Sequence, residues 1–225
     1  MNTIITIDGP AGSGKSTLSR LLARRLNAVY LDTGAMYRAV ALAAKRRAIR
    51  LDDAMGLKNL CGSLNLFFDS SFDPPRLFLG NEDVTLAIRS PEMDMASSEV
   101  SAVKEVRQAM TGLQRKMAER SDVVAEGRDM GSVVFPMARC KFFVTASAAE
   151  RAERRYNERL GRGEPVSRER VESEMRKRDQ QDQGRQLAPL KPAEGAIIID
   201  TTDLSIEQVL EELLEHVKTA CLESP

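Results

Sequence analysis

The apolar positions of the chain follow two rhythms. Short unbroken runs come first: Ile4-Ile5-Thr6-Ile7 closed by Asp8, and Val29-Tyr30-Leu31 closed by Asp32. Runs of this length and density fit strands buried on both faces. Val123-Val124-Ala125-Glu126, Lys141 to Thr145 and Ala196 to Asp200 repeat the signature. Between them the spacing changes. Leu18, Leu21, Leu22 and Leu26 recur at helical intervals over residues 15 to 27, Met36 to Arg47 is helical again, and Ile206 to Val217 places apolar residues at 206, 209, 210, 213, 214 and 217. Strands alternating with helices predict βαβ units, hence an α/β fold with a parallel sheet of about five strands covered on both faces.

Two stretches depart from that alternation. Residues 60 to 95 hold strand-like Leu64 to Phe68 and Arg76 to Leu79, with Asp73-Pro74-Pro75 as a turn signal and Gly80-Asn81-Glu82-Asp83 as a tight turn into a further short strand. They predict a small antiparallel insertion, followed from Pro91 to Arg120 by a long charged helical pattern. Residues 147 to 192 are rich in Arg and Glu, and Gly161-Arg162-Gly163-Glu164-Pro165 breaks them into two helices. A length of 225 residues suits one domain, 1–225, carrying inserted lobes.

Composition narrows the function classes. Hydrophobic residues make up 42%, enough for a core, and 33 Lys+Arg balance 33 Asp+Glu. A net charge of zero argues against bulk electrostatic binding to nucleic acid or anionic membrane. No apolar run approaches the roughly 18 residues of a membrane span, and the N-terminal sequence does not read as a signal peptide. A cytoplasmic, membrane-free protein is expected. Cys61, Cys140 and Cys221 form no CxxC or metal-ligand pattern and are expected as free thiols. His216 is the single histidine, on a charged terminal helix, which nearly excludes a Ser-His-Asp triad or a His-rich metal site. No long apolar surface stripe calls for self-association, so a monomer is expected.

Gly9-Pro10-Ala11-Gly12-Ser13-Gly14-Lys15-Ser16, followed by Thr17, fits GxxxxGK[ST] and sits between a strand and a helix. Glycines let the backbone curl so that its N–H groups face phosphate oxygens, and the helix that follows adds its positive end. In such a P-loop Lys15 bridges the β- and γ-phosphates and the Ser16 hydroxyl is a Mg²⁺ ligand. ATP-Mg²⁺ binding is therefore expected, with Gly9 to Thr17 as the ATP site. The absence of a base-reading NKxD motif argues against a GTPase, and the length argues against a large motor, leaving a small-molecule or nucleotide kinase.

Three further segments decide among these. Leu31-Asp32-Thr33-Gly34-Ala35-Met36-Tyr37-Arg38, Glu126-Gly127-Arg128-Asp129-Met130-Gly131, and Arg178-Asp179 with Asp182, Arg185 and Ala188-Pro189-Leu190 resemble, in order and spacing, bacterial cytidylate kinases, across essentially the whole chain. Where many members carry Gly after the P-loop Lys, this chain has Ser16. The resemblance implies a P-loop kinase core, a nucleoside-monophosphate-binding insertion over about 40–110 and an Arg-rich lid over about 147–165. It implies transfer of the γ-phosphoryl of ATP to CMP or dCMP. A phosphate monoester is largely dianionic at pH 7 and needs positive charge rather than a general base.

By the same resemblance, Arg38 grips the CMP phosphate with Thr33 nearby, and Arg128 helps hold it. Asp129, Arg107 and Ser98 read the base. An arginine that donates and a carboxylate that accepts complement the acceptor N3 and donor N4 amine of cytosine, whereas uracil sets O4 against Asp129. Arg178 and Asp182 meet the sugar hydroxyls and Arg185 the phosphate; the spacing i, i+4, i+7 puts the three on one helical face, which also suits a plain ion-paired surface. Arg154 and Arg155 belong to a lid, with Arg151 and Arg159, that folds over the transferring phosphoryl. Asp32 either orients water on Mg²⁺ or caps the next helix. A kinase for UMP or for a non-nucleotide acid, and a nucleotide-binding regulator without turnover, are the competing readings.

Overall fold

The computed structural model describes residues 2–222. In chain order, β1 (Ile4–Asp8) leads into α1 (Lys15–Arg25), β2 (Val29–Asp32), α2 (Thr33–Arg46) and α3 (Ala54–Ser63). Three short strands follow, β3 (Leu66–Asp69), β4 (Arg76–Leu79) and β5 (Glu82–Asp83), and then α4 (Pro91–Ala102) and α5 (Lys104–Met117). β6 (Val123–Gly127), β7 (Cys140–Thr145), α6 (Ala148–Gly161), α7 (Arg168–Gly184), β8 (Ile197–Asp200) and α8 (Ile206–Val217) complete the order.

The five long-range strands form one parallel sheet in the order β2-β6-β1-β7-β8, and β3-β4-β5 form a separate antiparallel sheet, both as the alternation predicts. Side chains alternate across the central sheet. Val123 and Ala125 of β6 face the core under α2, α3, α4 and α5, while Val124, with Ile5 and Ile7 of β1, faces the core under α1 and α8. Each large side chain buried this way, such as Ile7 or Phe142, contributes on the order of 1.5–3 kcal/mol. A third, smaller apolar cluster, Ala152, Val171 and Met175 with Ala11, Tyr156 and Val166, holds α6 and α7 together apart from the main cores.

The register places the chemistry. Asp32 pairs beside Glu126, and Glu126 beside Ile7, so the carboxyl ends of β2, β6 and β1 stand in a row. That edge is where open α/β sheets bind ligands.

Four details depart from the sequence expectations. The pattern from Pro91 to Arg120 is two helices, because Val103 adopts extended backbone between them. Helix α3 was hidden in a weakly periodic stretch; Asp53 caps it by accepting from the Gly56 amide at 2.9 Å. Helix α2 starts three residues before Met36, because Asp32 caps it and so allows Thr33 into the first turn. Cys61 is a buried free thiol as expected, but Cys140 is disulfide-bonded, a pairing that sequence spacing did not signal; the side chain of Cys221 lies outside the described residues.

Candidate active site

At the end of β1 the chain turns through glycines into α1. Gly9 has φ +149°, and a Cβ there would stand 2.0 Å from the Val144 carbonyl oxygen, so no other residue fits. Gly14 takes a left-handed φ of 86° as the cap of α1. The loop closes on Lys15, whose ammonium donates to the Pro10 carbonyl at 2.5 Å and to the Ser13 hydroxyl at 3.4 Å. Burial, reinforced by the Arg128 guanidinium, pushes Lys15 down to about 7. A site that depresses a lysine so far is built for an anion that restores its charge.

The loop borders a cleft of about 610 Å³. At one end Thr17 and Leu18 face Leu204, Ile206 and Val209. Arg154 lies beside this end: its guanidinium donates to the Thr201 hydroxyl at 2.9 Å and carbonyl at 2.7 Å. The Thr201 hydroxyl in turn lies 3.3 Å from the Ser13 carbonyl.

The other end is made of side chains from distant parts of the chain. Arg107 on α5 is ion-paired to Asp129, which follows β6, and also donates to the Ser101 carbonyl at 3.2 Å. Both partners are buried. Burial raises the Asp129 carboxyl, and Arg107, Arg185 and Arg128 act against that. Asp182 on α7 gathers a second group: Arg128 at 2.8 Å, Arg185 at 3.0 Å and the Ser98 hydroxyl at 3.4 Å. Burial alone would raise Asp182, but Arg128, Arg185 and Arg178 hold it below the usual carboxylate range. Arg185 sits one residue past α7 in extended backbone rather than on its helical face, yet still turns back to Asp182. A third group centres on Asp94 of α4, which meets Arg38 at 3.5 Å, Arg178 at 3.6 Å and Arg155. Burial, with Arg128 close by, lowers Arg178 to about 10.

Every residue named from the sequence for the two nucleotides lines this one cleft or its loop, Thr33, Ser98 and Asp182 included. Two expectations gain detail. Asp32 acts as the helix cap: its Oδ1 accepts from the Ala35 amide at 2.8 Å, while its Oδ2 faces Arg38 at 3.5 Å and Arg89 at 3.8 Å. Thr33 donates its hydroxyl to the Glu126 carbonyl at 2.6 Å, so it offers the cleft only oxygen lone pairs. Of the lid arginines, Arg151 and Arg159 are buried and spent on structure. Arg151 ties α6 to the loop through the Ala11 carbonyl at 3.2 Å and to Asp179 at 2.8 Å, and Arg159 joins Glu164 and Glu174.

Three residues that the sequence reading passed over have evident work here. Asp8 closes β1 and accepts from the Met130 and Gly131 amides, each at 2.8 Å, which fixes the turn that carries Arg128 and Asp129. Glu126 stands beside Lys15, Asp32 and Ser16, and burial raises its carboxyl with Asp32 adding to the effect. Its Oε1 accepts from the Tyr30 hydroxyl at 2.6 Å, while Oε2 has no hydrogen-bond partner. An apolar strand ending in an acid next to the P-loop strand was the available signal. Asp94 lies in a charged helix whose sequence offers none.

A family model described as cytidylate kinase matches residues 5–219. The chain is 49% identical over 215 residues to a cytidylate kinase of Citrifermentans bemidjiense, covering 96% of this chain and 92% of that one. It is 51% identical over 214 residues to a cytidylate kinase of Syntrophotalea carbinolica, covering 95% and 91%. Among solved structures, an uncharacterized protein from Eubacterium ventriosum shares the fold with a TM-score of 0.52 at 14% identity, covering 97% of this chain and 99% of that one.

Proposed function

Since the chain belongs to the cytidylate kinase family, we propose that it transfers the γ-phosphoryl group of ATP to CMP or dCMP, giving ADP and CDP or dCDP. One observation carries this reading: Arg38, Arg107, Arg128, Arg155, Arg178 and Arg185 share Asp94, Asp129 and Asp182 as carboxylate partners in the cleft. Arginines in such excess, partly desolvated, call for a multiply charged anion. A nucleoside monophosphate supplies a dianion near neutral pH.

The base end suits cytosine. Arg107 and Asp129 stand side by side and offer a donor and an acceptor along one edge. Cytosine presents the complementary acceptor N3 and donor N4; uracil presents the reverse. Asp182 with Arg178 faces the sugar hydroxyls in this reading, with Ser98 on the base and Arg38, Arg128 and Arg185 on the phosphate. Residues of about 40–110 act as the monophosphate-binding lobe, and those of about 147–165 as the lid.

At the donor end the backbone from Gly9 to Thr17 cradles the triphosphate, and its β- and γ-oxygens stabilise the Lys15 ammonium. Lys15 and Arg128 stabilise charge as it moves from donor to acceptor, with Arg154 over the donor's phosphates and Arg155 over the acceptor's, and Asp129 positions the acceptor base. Water exclusion by α6 limits hydrolysis. Mg²⁺ fits this donor set: the Ser16 hydroxyl lies next to Glu126, whose buried Oε2 is unpartnered. Ser16 would bind the ion directly, with Glu126, and Asp32 through Oδ2, holding its waters. When bound, the ion neutralises phosphate charge and orients the triphosphate.

The test is transfer from ATP-Mg²⁺ to CMP, dCMP, UMP, dUMP and AMP in parallel, with a no-acceptor control. Strong turnover with CMP and dCMP, weak with UMP and negligible with AMP is expected. UMP matching CMP would remove the cytosine-reading role of Asp129. ATP hydrolysis indifferent to every acceptor would remove the kinase reading.

A further inference from the structure

Asp94 holds an unusual position. It receives Arg38 from α2, Arg155 from α6 and Arg178 from α7, with the α2 and α7 arginines on Oδ1 and the α6 arginine on Oδ2. Its side chain is 15% exposed. Burial works against its ionisation, but Arg178, Arg155 and Arg38 hold it below the usual carboxylate range, so it is an anion at neutral pH. Arg162 adds to the same field.

The cluster is not satisfied by this carboxylate. The Nε atoms of Arg38 and Arg178 are buried without a hydrogen-bond partner. The guanidinium contacts of these two residues to Asp94, at 3.5 and 3.6 Å, are long for charge-assisted hydrogen bonds, which usually run about 2.7–2.9 Å. Arg38 also faces Asp32 at 3.5 Å and Arg155 also pairs with Glu158 at 2.7 Å, but Asp94 is the carboxylate that all three arginines share, and it supplies them one negative charge and two oxygens. A phosphate dianion supplies three free oxygens and up to two charges.

Building on the proposed function, we infer that Asp94 is a resident counter-ion that stands in for the acceptor's phosphate: it holds Arg38, Arg155 and Arg178 together until a nucleoside monophosphate arrives, and the phosphate then displaces it from them. The device has two effects. It keeps three like charges gathered in an otherwise repulsive arrangement, so the site is preorganised. It also charges the substrate an electrostatic toll, because the phosphate enters against a carboxylate. It ties α2, α4, α6 and α7 through one side chain, so its displacement is felt by the lid helix as well as by the acceptor lobe.

The competing reading makes Asp94 a plain structural salt bridge. The two differ in the sign of a substitution. In Asp94→Asn, nearly the same shape without the charge, a lost structural bridge weakens every ligand of the acceptor end, whereas a lost competitor strengthens binding of phosphate-bearing ligands alone. We expect Asp94→Asn to bind CMP about five- to tenfold more tightly by calorimetry in the absence of ATP, with cytidine unchanged. Asp94→Glu, which retains the charge, should bind CMP close to the wild type and guards against an effect of misfolding. Weaker or unchanged CMP binding by Asp94→Asn, or an equal gain for cytidine, would overturn the inference. Wild-type protein in the same titration separates the premises: if it fails to bind CMP, the acceptor assignment falls and the counter-ion role with it, whereas CMP binding that Asp94→Asn does not tighten overturns the counter-ion role alone.

Discussion

The two ends of the cleft are built by opposite means. The donor end is mostly backbone: a glycine loop, the first turn of α1 and one lysine, all contained in Gly9 to Thr17. The acceptor end is almost all side chain: Arg38, Ser98, Arg107, Asp129, Arg178 and Asp182 come from five separate parts of the chain and are held by ion pairs, with Asp94 and Arg128 among the partners, and by the Ser98–Asp182 hydrogen bond. Backbone amides recognise a phosphate of any nucleotide. Paired side chains present a pattern along one edge and so select a base. The difference teaches where specificity resides, and it can be attacked from either side.

The largest effect should fall at the donor end. Lys15→Ala removes the one cation inside the loop, and a loss of about 10³-fold in kcat/KM for every acceptor is expected. Discrimination between CMP and UMP should be preserved in whatever activity is left. A coupled assay with both acceptors reads both quantities. If Lys15→Ala instead altered the CMP to UMP ratio, the two ends would not be separable in this way.

Asp8 joins the two ends, since it closes the P-loop strand and pins the turn bearing Asp129. Burial raises its carboxyl from 3.8 to about 6, against the pull of the Gly131 and Met130 amides. Between those values the folded chain keeps a proton that the unfolded chain has released. The contribution of Asp8 to stability is thus present below about pH 4 and lost as pH rises through about 6. Relative to Asp8→Asn, the wild type should lose on the order of 2 kcal/mol between pH 4 and pH 7. Urea midpoints of both proteins across that range measure it. A constant difference would mean that the two amides hold Asp8 ionised throughout, and that the junction is an ordinary anion site.

At the acceptor end, Asp129→Asn exchanges a pure acceptor for a group that also donates. The preference for CMP over UMP should fall by about 10–100-fold in kcat/KM, with the response to ATP little altered. A uniform loss on both acceptors would show that Asp129 serves only to hold Arg107.

The same contrast explains what the sequence disclosed. The strand-helix alternation is visible because buried parallel strands are continuous apolar runs, and the P-loop because its residues are contiguous. The split of α4 from α5 was invisible: Val103 carries no Gly or Pro signal, yet its backbone is extended and its side chain packs against the core. Arg107, Ser98 and Asp182 were legible only through resemblance to a family, because ion pairs across 22 or 54 residues leave no local trace. Glu126 and Asp94 show two grades of the same difficulty. Glu126 ends an apolar strand and could have been marked by position, whereas Asp94 gains its meaning from arginines on three other helices.

Neighbouring arginines on α6 provide the finest test of the division. Arg154 points to Thr201 beside the P-loop, and Arg155, the next residue, points to Asp94 among the acceptor arginines. A helix turns each successive residue by about 100°, so adjacent positions serve opposite ends of one cleft without any break in the lid. Charge-assisted contacts of this kind are each worth about 1.5–3 kcal/mol. Arg154→Ala should therefore raise KM for ATP about tenfold, and Arg155→Ala should lower kcat/KM for CMP about tenfold, with each loss falling on a different substrate. Initial rates over a grid of both substrate concentrations separate the terms. If the two variants lost the same parameter, α6 would act as a single electrostatic cover over the transferring phosphoryl, and the division between the ends would stop at the walls of the cleft rather than extend into its lid.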